Sequence, residues 1–143
     1  MKKKASVPTG MKPALQALLI APDHDMRTHI LYGGKTITIR KGHRDYKPGP
    51  VMLCCHVVPW AVLAEITDVR HCALQEVTEE EYEADGFLSQ EDLLKGLQKY
   101  YPNMTLDSPV TVIRWKDAKG FLVDYSTVYR YEPEMLYARI KHK

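Results

Sequence analysis
Apolar positions along this chain fall into short runs whose spacing switches between two periods. Leu15-Gln16-Ala17-Leu18-Leu19-Ile20 is nearly continuous and predicts a first buried strand. From Asp23 or Asp25 to Tyr32 the period becomes helical. Met26, Ile30 and Leu31 share a face, Asp23 is placed to cap the start, and Gly33 stops the helix. Thr36-Ile37-Thr38-Ile39 then alternates with period two, which puts the isoleucines on one face of a strand and the threonines on the other. Tyr46-Lys47-Pro48-Gly49-Pro50 predicts a type II turn, with Pro48 presetting φ and Gly49 suited to the following position. Val51 to Val58 is a dense apolar strand, interrupted at Pro59 and restarted from Trp60 to Val69.

In the second half, Thr78-Glu79-Glu80-Glu81 and Ser89-Gln90-Glu91-Asp92 both match the capping box that opens a helix. The second helix carries Leu93, Leu94, Leu97 and Tyr100 or Tyr101 on one face, and Pro102 ends it. Val110 to Trp115 predicts a strand, Asp117-Ala118-Lys119-Gly120 a turn, Phe121 to Tyr131 a last strand, and Glu134 to Lys143 a short helix with a basic end. Residues 1–12 are basic and broken by Pro8 and Gly10, the pattern of a mobile tail. Residues 13–143 suit a single domain with one buried core.

Composition narrows the class. The 143 residues are 45% hydrophobic and 27% charged, ordinary for a globular protein, and the net charge of +2 excludes a global polyelectrolyte. Charge is nevertheless segregated. Lys35 to Lys47 holds five bases (Lys35, Arg40, Lys41, Arg44, Lys47) against Asp45, and Glu79 to Asp92 holds seven acids and no base. No apolar run reaches membrane-spanning length, and the basic start is not followed directly by a signal-type apolar core. Three cysteines, Cys54, Cys55 and Cys72, are odd in number and without metal-site spacing. They point to a reducing, cytoplasmic setting with no disulfide scaffold and no metal site, and no cofactor is expected.

The stretch with the most chemistry is Gly33 to Gly42. Two glycines permit a tight turn, and the strand that follows presents Thr36 and Thr38 between the cations Lys35 and Arg40. Such a strand can hold an anionic or highly polar ligand, and it can equally be an edge strand with a solvated face. A group three residues from another on a regular strand faces the opposite way. Lys35 therefore joins Thr38 only if it lies in the turn.

The run Gly-Gly-Lys-Thr-Ile-Thr-Ile-Arg, followed by Tyr46-Lys47-Pro48-Gly49, then Asp85-Gly86-Phe87, a helix over Ser89 to Tyr101, Tyr101-Pro102 and Val110-Thr111-Val112-Ile113, resembles the ASCH domain family of the PUA-like superfamily. The resemblance spans about Ala14 to Trp115. It implies an α+β fold: a small mixed, mostly antiparallel β-barrel with flanking helices, whose two long central strands curl, with Pro59 as the bend. It also implies an activity, since some bacterial ASCH proteins are amidohydrolases of N4-acylated cytidine nucleosides. Lys35 matches the base and Thr38 the nucleophile of that group, and Asp85 lies near the position of its acid. Asp85 is one methylene shorter than the usual Glu, Glu83 and Glu81 are alternatives, and Pro50 stands where the family usually has Asp.

Two other readings use the same cleft: a non-catalytic RNA-binding module, and an RNA-cleaving member of the family. The binding set is Thr36, Arg40, Lys41, His43, Arg44, Lys47 and Phe87, with Tyr46 and Trp60 as stacking candidates. Tyr125, Tyr129, Tyr131 and Tyr137, near Arg130, Arg139 and Lys141, form a second aromatic-basic set. The expected partner is a modified pyrimidine nucleoside or RNA, and no membrane.

Overall fold
The computed structural model describes residues 14–20 and 23–121. In chain order the elements are β1 (Gln16–Leu19), α1 (His24–Leu31), β2 (Ile37–Lys41), β3 (Gly49–Cys54), β4 (Ala61–Ala73), a 3-10 turn (Leu74–Glu76), α2 (Glu79–Ala84), α3 (Gln90–Gln98) and β5 (Pro109–Phe121). The basic tail, the strand expected over Phe121 to Tyr131 and the helix expected from Glu134 lie essentially outside the described residues, as does the second tyrosine set.

The five strands form one sheet in the order β1-β3-β4-β5-β2. β1 runs parallel to β3, and every other neighbouring pair is antiparallel. Among the described residues the sheet curls into a half-barrel of the small α+β, PUA-like kind, with β1 and β2 at its two edges. Arg40 Nη2 reaches across from β2 and donates to the Leu19 carbonyl of β1 at 2.5 Å.

Apolar side chains cover both faces. On one, Leu18, Val51, Leu53, Trp60, Val62 and Ile66 pack with Ile30 and Leu31 of α1. On the other, Ile37, Ile39, Val110 and Val112 pack with Leu93 and Leu97 of α3. β5 serves both cores by simple alternation, Val110 and Val112 to one and Ile113 and Trp115 to the other. β4 does so only because its register shifts: Ile66 pairs with Trp115 and Asp68 with Arg114, so Thr67 is an extra residue. That bulge reverses the parity of everything after it, and Val69 joins the core of Ile66 while Cys72 joins the other.

Several expectations change. The Leu15–Ile20 run is an edge strand with one buried face: Leu18 and Ile20 are buried, whereas Leu15 and Leu19 are exposed. Pro59 does not bend a strand. β3 ends at Cys54, which pairs with Ala61, so Pro59 sits in the connection, where a missing N–H costs no ladder bond. The curvature comes with the register shifts between β4 and β5. Asp117–Gly120 is no chain reversal. β5 continues through it to Phe121, and Asp117 takes φ 57 inside the strand.

Tyr46–Pro50 does not join neighbouring strands, because β2 and β3 are not paired. The segment crosses the sheet instead, held by Arg44 N to Thr111 Oγ1 (2.8 Å), His71 Nε2 to the Arg44 carbonyl (2.8 Å) and Lys47 N to Gln16 Oε1 (2.8 Å). Among the described residues, no helix is long and apolar enough to cross a membrane.

Candidate active site in the barrel gap
α1 is capped by Asp23, whose side chain accepts from Met26 N, and it ends where Gly33 turns to φ 79. Gly34 N and Lys35 N both return to the His29 carbonyl, at 2.8 and 3.2 Å. Lys35 is thereby held in the turn, two residues before the ladder begins at Ile37.

The ladder parity then decides what Lys35 can reach. Trp115 N donates to the Thr36 carbonyl at 2.9 Å, so Thr36, Thr38 and Arg40 share the hydrogen-bonded parity with β5. Ile37 and Ile39 turn their backbone groups toward the open edge. Lys35 Nζ donates to the Ile37 carbonyl at 2.7 Å and to Asp85 Oδ1 at 2.5 Å, and the Asp85 carboxylate accepts from the Ile39 N–H. An ion pair thus seals the edge of β2 where another strand would otherwise dock.

Asp85 reaches this position as the C-cap of α2, followed by Gly86 at φ 93, while Phe87 N returns to the Tyr82 carbonyl at 2.9 Å. The side chains of Lys35 and Asp85 are only 13% and 9% exposed. Burial pushes the Asp85 carboxyl above its ordinary range, against the opposing pull of Lys35, Arg40 and the Ile39 amide. Lys35 Nζ also stands 6.0 Å from the centre of the Trp115 ring.

Thr38 is 6% exposed, and its Oγ1 accepts from Arg40 Nε at 3.1 Å. Lys35 and Thr38 line the same cavity of about 510 Å³, although no hydrogen bond joins them. The cavity lies along the barrel gap. Leu19, Ile20, Met26 and His29 form one wall, Asp85, Phe87, Leu97 and Tyr101 the other, with Tyr100 and His56 also lining it. Phe87 is fixed by packing on α3: a Cβ on Gly96 would stand 2.4 Å from its ring.

The structure thus brings Lys35, Thr38, Arg40, Asp85 and Phe87 to one cavity. Arg40, expected as a ligand- or RNA-binding cation, is instead largely occupied by Thr38 and Leu19, and burial lowers its pKa. Thr36 does not line the cavity; its carbonyl serves β5. Lys47 is also outside, paired with Asp45 at 2.7 Å. Lys41 and Arg44 do not line the cavity themselves but contact Tyr101, which does.

Glu81 is committed to Arg70 and to capping Thr78, and Glu83 does not line the cavity, so Asp85 is the carboxylate at Lys35. Trp60, 1% exposed, and Tyr46, whose hydroxyl donates to the Ala17 carbonyl, belong to the fold and not to a stacking surface. The aromatic wall is Phe87, Tyr100 and Tyr101. His29 and His56 carried no sequence signal, and only the fold brings them to the cavity.

No protein-family model and no curated protein matches this chain. Solved structures do. An ASCH protein from Zymomonas mobilis is 12% identical over 83% of this chain and 78% of its own, with a TM-score of 0.52. An ASCH domain from Lactobacillus crispatus is 15% identical over 73% and 80%, also at 0.52. A protein from Enterococcus faecalis is 12% identical over 80% and 85%, again at 0.52. Strand order, flanking helices and these likenesses agree: the chain has an ASCH-like fold of the PUA-like kind.

Proposed function
We propose that the cavity binds an N4-acylated cytidine-type nucleoside and hydrolyses its amide. One observation carries this reading: a buried threonine hydroxyl held by a guanidinium shares an aromatic-walled cavity with a buried lysine–carboxylate pair. The volume suits a nucleoside, and Phe87, Tyr100 and Tyr101 offer π-faces to a planar base.

Chemistry follows from the two pairs. Arg40 Nε donates to Thr38 Oγ1, which leaves the hydroxyl proton free to be removed and stabilises the developing alkoxide. Asp85, whose carboxyl burial pushes upward, accepts a proton from Lys35 across their hydrogen bond, and Lys35 takes the Thr38 proton in its place. Thr38 Oγ1 then bonds to the acyl carbon and the C–N4 bond breaks. N4 receives the proton held by Asp85, and cytidine leaves. Water cleaves the acyl-threonine, regenerating the hydroxyl and releasing the carboxylic acid.

The test is incubation with N4-acetylcytidine and separation of the products. Release of cytidine and acetate is expected. Intact substrate after prolonged incubation with folded protein overturns the reading. A second reading, recognition of a modified base in RNA without chemistry, draws on the lack of a hydrogen bond between Lys35 and Thr38. It is the outcome if N4-acetylcytidine-containing RNA binds and is not deacylated. Loss of RNA length in the same incubation would mark an RNA-cleaving protein instead.

A further inference from the structure
Five bases crowd the stretch from Lys35 to Lys47, and the fold sorts them. Asp85 matches Lys35 and Asp45 matches Lys47. Arg40 is turned inward to Thr38 and Leu19. Lys41 and Arg44 have no carboxylate partner among the described residues.

Both of these cations rest on one cavity-lining side chain. Lys41 Nζ is 5.9 Å from the centre of the Tyr101 ring, and Arg44 Nη2 is 3.3 Å from its hydroxyl. Arg44 is also pre-oriented. Its Nε donates to the Lys41 carbonyl at 2.9 Å and its backbone N to Thr111 Oγ1 at 2.8 Å. Nη1 makes no hydrogen bond among the described residues. Two uncompensated cations on a side chain that lines the cavity, one of them an oriented guanidinium, form a receptor for a tetrahedral oxyanion.

We infer that the ligand carries a phosphate on its ribose, held beside Tyr101 by Lys41 and Arg44 while its base lies in the cavity. This rests on the nucleoside reading above and specifies it: the substrate is phosphorylated, as a mononucleotide or as a residue of an RNA chain. Tyr101 is the hinge of the arrangement, with its ring facing Lys41, its hydroxyl at Arg44 and its side chain in the cavity wall. Lys47, balanced by Asp45, takes no part.

The experiment is calorimetric titration of the full chain, at low and at physiological salt, with four probes. These are N4-acetylcytidine, its 5′-monophosphate, its 3′-monophosphate, and a trinucleotide with N4-acetylcytidine at its centre. The Thr38→Ala variant is used so that no probe is consumed. At least one phosphorylated probe is expected to bind ten-fold or more tighter than the nucleoside at low salt. The gap should shrink as salt rises, since exposed charges are screened. Adding Lys41→Met and Arg44→Gln should bring the affinity ratio to about one, whereas Lys95→Met, outside the cavity lining and paired with Glu91, should preserve it. Tighter binding of a monophosphate than of the trinucleotide identifies a mononucleotide ligand, and the reverse order identifies RNA. Equal affinity for nucleoside and all phosphorylated probes overturns the inference and leaves the nucleoside reading standing. No binding by any probe overturns both.

Discussion
Thr38 and Lys35 line one cavity but have different partners, and their variants should behave differently. Thr38→Ala removes the proposed nucleophile and the acceptor for Arg40 Nε; cytidine release should vanish, while Thr38→Ser, which keeps the hydroxyl, should retain it. Product chromatography decides this, and full activity in the alanine variant would exclude a nucleophilic Thr38. A turn lysine reads as expendable for folding, yet Lys35→Met strips a buried carboxylate of its cation. Breaking a buried pair from one side costs about 3–5 kcal/mol. The sign with pH is fixed. Without Lys35 the folded-state pKa of Asp85 rises further above its unfolded value. The variant therefore holds a proton that the unfolded chain has released, and it loses stability as pH climbs from the unfolded pKa through the folded one. Melting temperatures of wild type and Lys35→Met should lie closest in acid and separate toward neutrality.

Among the elements, α2 is short and depends on its start. Glu81 Oε1 accepts from Thr78 N at 2.9 Å, Glu81 N donates to Thr78 Oγ1 at 3.2 Å, and the same carboxylate pairs with Arg70. Burial pushes Glu81 up, but the hydrogen bonds from Arg70 and Thr78 outweigh it and hold the carboxyl below its ordinary range. Its contribution is complete above the unfolded pKa, about 4.3, and is lost as pH falls through the lower folded value. Glu81→Gln should therefore cost about 1–3 kcal/mol near neutrality and almost nothing in strong acid, read by denaturant unfolding at both pH values.

α2 also delivers Asp85, so ligand affinity should fall with it. α3 makes a different demand. Gly96→Ala would gain about 0.5–1 kcal/mol of helix propensity, but its Cβ would meet the Phe87 ring at 2.4 Å. Displacing that ring should leave the variant less stable by about 1–3 kcal/mol and weaken base binding, which titration with N4-acetylcytidine measures.

At the scale of the molecule, the barrel formed by the described residues has two strand edges, and polar side chains manage both. Lys35 and Asp85 satisfy the edge of β2, and Arg40 spans to the edge of β1. The gap that holds the candidate ligand is therefore also where the sheet can open. Arg40→Met should leave the Leu19 carbonyl and Thr38 Oγ1 without that donor, at about 1–3 kcal/mol. Amide exchange should accelerate in β1 well before it does in β4, which is paired on both sides. Uniform acceleration across the sheet would show that Arg40 does not bridge the edges energetically.

Local patterns in the chain determined much of this. The helix starts at Asp23, Thr78 and Ser89 follow from side chains that cap backbone N–H groups a few residues away, and the alternation of Ile37 to Arg40 follows from strand geometry. The Gly33-Gly34 turn allowed Lys35 to meet Thr38, and the resemblance to ASCH domains implied Asp85 as their partner. Tertiary structure decided the rest, because the deciding contacts join residues far apart in sequence. Asp85, rather than Glu81, meets Lys35 because Arg70 claims Glu81 across eleven residues, while the end of α2 delivers Asp85 across fifty. The Asp117 stretch reads as a turn on local grounds, but β4 keeps it in the ladder by pairing on either side of a bulge. The basic segment reads as one cationic surface, yet only a folded chain can show which charges meet carboxylates, which turn inward and which two rest on a side chain of the cavity wall.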